Sequence, residues 1–257
     1  MAVLNGAHVL VTRPAHQADK LSRLILQRGG IAVRLPTLEI KPVDEVEKIK
    51  AKLALIDTFQ WLVFVSANAV TMHNYYLDGG RMPLSHDMRF VAIGAATAQA
   101  MTLAGLPVDL VPSQGYSSEA LLAMPQLQHI DGQSFMIVRG EGGREALATT
   151  LSNRGATVDY LDVYKRIIPE LDISEVLSLL TQGKLDAITI TSGEALQNLL
   201  IMLGERYQPL LFATHLVVIS DRIGQMAAEL GFKQIVVAAS PSDTAILEAV
   251  TKCLTGE

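Results

Sequence analysis

Cysteine is almost missing from this chain: Cys253 is the only one in 257 residues. An intramolecular disulfide is therefore impossible and a thiolate metal cluster is not expected, which points to a reducing compartment, the cytoplasm. No run of about 18 apolar residues occurs, so no transmembrane helix is expected. The opening MAVLNGAHVLVTRPA lacks the basic start and unbroken apolar centre of a secretory signal, and reads as a first strand. Long basic runs are absent too, and the net charge is −5, so neither nucleic acid nor an anionic membrane is an expected partner. The six histidines, His86 among them, show no metal-ligand spacing. The turn GEGG at 140–143 falls short of the full GxGxxG pattern, and no P-loop is present, so a nucleotide fold is not indicated.

What the chain does have is apolar residues, 49% of the total, in short β-branched runs. HVLVT, IAVRL, WLVFV, RFVAI, VDLV, SFMIV, TVDYL, AITIT, LVVIS and QIVV read as buried strands. Segments of helical spacing lie between them; one carries Leu21, Leu24 and Ile25 and stops at Gly29-Gly30. Alternating strands and helices predict parallel sheets covered by helices on both faces, and ten strands suit two five-stranded sheets.

The chain also lies over itself. A shift of 126 positions, the distance from Ser66 to Ser192, sets Arg13 on Arg139, Arg28 on Arg154, Gly29 on Gly155, Ile93 on Ile219, Gln99 on Gln225 and Gly105 on Gly231 without a gap. Matching glycines and arginines at one shift indicate a duplicated unit. The linkers PTLEIKPVD (36–44) and DVYKRIIPE (162–170) occupy equivalent places. Either each copy is its own domain, or the chain crosses over at both linkers.

Several strand-to-helix corners are candidate anion sites, because a helix N-terminus offers unpaired N–H groups and partial positive charge. They lie at 12–16, 66–68, 94–97, 116–118, 140–144, 192–194 and 240–242. Candidate ligand contacts there are Ser66, Asn68, Thr97, Ser117, Ser118, Gly140, Ser192 and Ser242, with Tyr116 and Arg144 in the same corners. Arg13 and Arg139 end equivalent strands and could each meet a carboxylate. Both kinds of residue carry a plainer reading: Ser and Thr at helix starts are N-caps worth about 1 kcal/mol, and the arginines could pair with neighbouring loops.

The motifs VLVTRP, FVSANAV, VAIGAATAQAM, GYSSEALL, RGEGGREAL, VYKR, ITSGEAL and SPSDTAILEAV stand in the order found in the uroporphyrinogen-III synthases, and the chain resembles that family from about residue 9 to residue 250. The resemblance implies the crossed-over arrangement: residues 1–37 with 168–257 in one α/β domain and 38–167 in the other. A two-stranded β-ladder of linker strands near 36–41 and 162–168 would join them, with the active site in the cleft between. It implies closure of hydroxymethylbilane to uroporphyrinogen III, with inversion of the last ring and loss of water, without a cofactor or metal; because no heptad or conspicuous apolar stripe calls for a dimer, a monomer is expected. It also implies that Tyr164 can give a proton to the leaving hydroxyl and that Ser66, Thr97 and Ser242 match cleft hydroxyls. A free phenol is a weak acid, so such a role needs supporting hydrogen bonds. Ser242 stands where threonine is frequent. The rival reading is a non-catalytic two-domain protein that binds an anionic small molecule.

Overall fold

The computed structural model describes residues 3–78, 87–113, 117–143 and 145–256. Tyr116, Arg144 and His86, named above, lie outside the described residues. In chain order the first elements are β1 (His8–Val11), α1 (Ala15–Gln27), β2 (Ile31–Arg34), β3 (Glu39–Pro42), α2 (Val46–Leu53), β4 (Trp61–Phe64), α3 (Ala67–Leu77), β5 (Arg89–Ala92), α4 (Ala95–Leu103) and α5 (Ser118–Leu122). There follow β6 (Ser134–Gly140), α6 (Ala146–Asn153), β7 (Thr157–Ile167), α7 (Ser174–Thr181), β8 (Leu185–Ile190), α8 (Gly193–Leu203), α9 (Gln208–Ala213), β9 (His215–Val218), α10 (Asp221–Leu230), β10 (Ile235–Val237) and α11 (Asp243–Thr255).

Two compact units result, one of Met1–Glu39 with Ile167–Glu257 and one of Ile40–Arg166. The first holds a five-stranded sheet of order β10-β9-β8-β1-β2, the second a five-stranded sheet of order β3-β7-β6-β4-β5. The shift of 126 relates them down to register. Val9 faces Ala187 in the first sheet, and the equivalent residues Phe135 and Trp61 face each other in the second. Helix α8 falls on α3 and strand β9 on β5, end for end.

In the second unit Leu62, Phe64, Phe90, Met136 and Val138 point to one buried face, and Trp61, Val63, Val91, Phe135 and Ile137 to the other. The first unit is built alike, with Leu10, Ile188, Leu216 and Val218 on one face and Val9, Val11, Ala187 and Val217 on the other. Side chains buried on both faces are what near-continuous apolar strands require. The first unit differs in one seam. Thr12 donates to the Thr189 carbonyl (2.7 Å), Thr189 to that of Leu10 (3.0 Å), and Asn198 to that of Thr37 (2.8 Å). At the equivalent places the second unit has Val138, Val63, Val163 and Met72.

One expectation needs correction. VDLV forms no strand, only a single bridge between Val91 and Leu110. The carboxylate of Asp109 accepts the Phe90 N–H at 2.7 Å, a bond that a neighbouring strand carbonyl would otherwise take, and Pro107 and Pro112 flank the segment. Ile235 occupies the equivalent place in β10, where the strand does form. The fifth strand of the second sheet is instead β3, beside β7. The two linker segments pair with one another as β3 and β7, and because TVDYL runs into DVYKRI with no glycine or proline to stop it, that ladder continues into the second sheet. No described helix is long and apolar enough to cross a membrane.

Candidate functional site

The carboxyl ends of β7, β6, β4 and β5 lie side by side in the second sheet, where ligands of parallel α/β sheets sit. Four of the expected residues stand along that edge: Tyr164 in β7, Gly140 ending β6, Ser66 after β4, and Thr97 in the first turn of α4. Three of them form one cluster. The Ser66 and Tyr164 hydroxyls are 3.2 Å apart, and the Tyr164 ring lies against Gly140.

Ser66 has extended backbone, caps α3, and accepts the Ala69 N–H at 3.0 Å through its side chain. A hydroxyl has one proton to give and two lone pairs. With one lone pair engaged by the cap, it can accept the phenol's proton on the other or give its own proton to the Tyr164 oxygen, and the second arrangement leaves the phenol's proton free to point elsewhere. Tyr164 is 4% exposed. Its backbone carbonyl accepts the Glu141 N–H at 2.8 Å. Arg166, two residues along the same strand, holds its guanidinium carbon 5.7 Å from the Tyr164 ring centre. It has no acidic partner among the described residues. The sequence reading missed Arg166, and the period of two along a strand is the signal that would have found it.

The other residues of this unit are more dispersed. Asn68 is half-buried in the first turn of α3, and Thr97 is 4% exposed. Ser117 caps the short α5, accepting the Ala120 N–H at 3.3 Å, and Ser118 is that helix's first residue. Arg139 has a full set of partners of its own. It donates to Asp162 (2.8 Å), Glu145 (3.1 Å) and the Gly143 carbonyl (3.2 Å), and stacks over Tyr160 at 3.5 Å. Tyr160 in turn donates to Glu145 at 2.6 Å. Burial and that hydrogen bond push the Tyr160 phenol up to about 12, while the same bond, with Arg139, holds the Glu145 carboxyl below its usual range. The Arg139 charge is thus answered within the unit.

In the first unit Arg13 pairs with Asp243 and also donates to the Pro241 carbonyl at 3.1 Å. Ser242 caps α11 and lies within 2.9 Å of the Ser240 hydroxyl, so Arg13 and Ser242 come together around one helix start. Ser192 caps α8 through the Ala195 N–H at 3.0 Å, as its equivalent Ser66 caps α3, but its described hydrogen bonds include no phenol. Ser66, Ser117, Ser192 and Ser242 are all capping groups, the usual role of serine at a helix start.

A family model described as HEM4, uroporphyrinogen-III synthase HemD, matches residues 19–248. The uroporphyrinogen-III synthase of Escherichia coli K12 is 32% identical over 94% of this chain and 99% of its own length. That of Salmonella typhimurium LT2 is 33% identical over the same shares. Among solved structures, a mutant uroporphyrinogen III synthase from the extremely thermophilic bacterium Thermus thermophilus aligns with a TM-score of 0.68 at 17% identity, covering 98% of this chain and all of that one. The Helicobacter pylori enzyme aligns at 0.58 and 16%, covering 95% and 97%. At such identities the structural likeness speaks for the fold.

Proposed function

We infer the activity from one premise: the chain belongs to the uroporphyrinogen-III synthase family. It is a lyase of tetrapyrrole (haem) biosynthesis that closes hydroxymethylbilane to uroporphyrinogen III, inverting ring D and releasing water. The match along nearly the whole chain carries this reading. The Ser66–Tyr164 pair gives it a chemistry.

A pyrrole nitrogen of the bilane pushes out the hydroxyl on the terminal methylene carbon, breaking the C–O bond. The Tyr164 proton goes to the departing oxygen, which leaves as water. The hydrogen bond donated by Ser66 stabilises the phenolate left behind. The substituted carbon of the last ring then bonds to the electron-poor methylene carbon. That carbon's older bond, to the methylene shared with the preceding ring, breaks as that ring's nitrogen supplies the electron pair; the freed methylene bonds to the last ring's unsubstituted carbon, which gives up its proton to the phenolate. Most of the rate comes from holding the linear substrate so that the substituted carbon and the terminal methylene carbon meet. Its carboxylates are received by backbone N–H groups and hydroxyls at the strand-end corners of the second unit, at Ser66, Asn68, Thr97, Ser117 and Ser118. The single cysteine supports a cytoplasmic setting, and the lack of a heptad or apolar stripe supports a monomer.

Arg139 is better read as a strut than as a substrate contact. Arg139→Met is expected to cost about 2 kcal/mol in urea unfolding, less than a fully buried pair because Asp162 and Glu145 can still meet water. The KM for hydroxymethylbilane should stay within about twofold. Unchanged stability with a raised KM would return Arg139 to the substrate. The activity itself is tested by supplying hydroxymethylbilane to purified protein and separating the oxidised products: type III product supports it, and type I product alone refutes it.

A further inference from the structure

We propose that Gly140 is a positioning residue for Tyr164: the side chain it lacks is the space the phenol ring occupies. Strands β6 and β7 pair in regular register up to Arg139 and Asp162, and then the register shifts so that Gly140 faces Tyr164 and not Val163. Such an irregularity re-aims a side chain. Residues directly opposite on neighbouring strands carry their side chains on the same face, so the ring folds over the bare glycine. A Cβ at Gly140 would lie 2.5 Å from Cζ and 2.9 Å from Cδ2 of Tyr164, and nearer still to Cε2. These three ring atoms are its nearest neighbours. The ring cannot yield cheaply, since Tyr164 is 4% exposed and its hydroxyl is tied to Ser66. Nor does the duplicated fold require the arrangement: the equivalent positions in the first unit are Pro14 and Leu38. The glycine and tyrosine belong to one specialised corner, and Gly140 acts through the ring rather than by touching the substrate itself.

This inference rests on the acid role given to Tyr164, and its test separates the two. Protein labelled with 13C at tyrosine Cζ identifies the Tyr164 resonance as the one missing from Tyr164→Phe. Gly140→Ala is expected to move that resonance and to lower kcat as far as Tyr164→Phe does, with KM unchanged. Added to Tyr164→Phe, it should lower kcat no further. An unmoved resonance with wild-type kcat in Gly140→Ala overturns the proposal, as does a further kcat loss in the double variant. Should Gly140→Ala fail to fold, Gly140→Ala with Tyr164→Ala is expected to melt where Tyr164→Ala melts, because the obstructing ring is gone; a lower Tm there overturns it. Wild-type kcat in Tyr164→Phe alone refutes the acid role, and the resonance and the melting comparison then still decide the placement by Gly140.

Discussion

Tyr164→Phe is expected to lower kcat roughly tenfold or more while KM for hydroxymethylbilane stays within about twofold. The substitution removes one oxygen and keeps the ring, so the contact over Gly140 and the burial of the site survive. Ser66 keeps its cap on α3, because the bond from the Ala69 N–H does not involve the phenol. What is lost is the proton for the leaving hydroxyl and the hydroxyl partner of Ser66. General acids commonly contribute a hundredfold or more. Here the pyrrole nitrogen already drives the hydroxyl out, so the expected loss lies at the lower end. Steady-state kinetics on the two proteins check it. An unchanged kcat would make Tyr164 a packing residue.

His73→Leu is expected to change how stability depends on pH more than any surface substitution could. His73 in α3 is fully buried, stands edge-on to Phe64 at 5.3 Å, and its Nε2 has no hydrogen-bond partner among the described residues. Its Nδ1 lies 3.4 Å from the Asn74 side-chain oxygen, which places the neutral ring's proton there and leaves Nε2 as an orphaned acceptor. Burial pushes the imidazole down from near 6.5 to about 4. Between those values the unfolded chain binds a proton that the folded chain does not, so stability rises with pH. The full contribution is present above about pH 6.5 and is lost as pH falls toward 4, about 3 kcal/mol in all. The equivalent residue in α8 is Leu199, equally buried, so leucine suits this helix face. At neutral pH the variant should be more stable by about 1 kcal/mol, since no buried acceptor is left unpaired. Its melting temperature should then pull further ahead of the wild type as pH is lowered from 6.5. Parallel curves for the two proteins would contradict this.

Much of the fold was legible because buried parallel strands announce themselves as short β-branched runs. The duplication was legible through Arg13 with Arg139 and Ser66 with Ser192. VDLV misled because it reads as a strand by composition, while a single carboxylate, Asp109, takes its neighbour's N–H. Sequence spacing cannot express that competition. The corner serines were visible as caps, since a strand followed by Ser and a helical pattern is a local signal. The arginines were visible as strand ends, but Asp243 lies 230 residues from Arg13, and nothing local couples them. Tyr164 entered through family resemblance alone. Its setting depends on a register shift between two strands and on a glycine 24 residues earlier, features that only the folded sheet brings together.

The central claim is that this chain dictates which isomer forms. Hydroxymethylbilane closes slowly by itself at the free carbon of its last ring and yields the type I isomer. The direct measurement is the ratio of isomers III and I, after oxidation and chromatographic separation, as protein concentration is raised at fixed bilane. A ratio climbing until isomer III is essentially the sole product is the result predicted. Isomer I alone at every protein concentration, formed at the rate seen without protein, would contradict it.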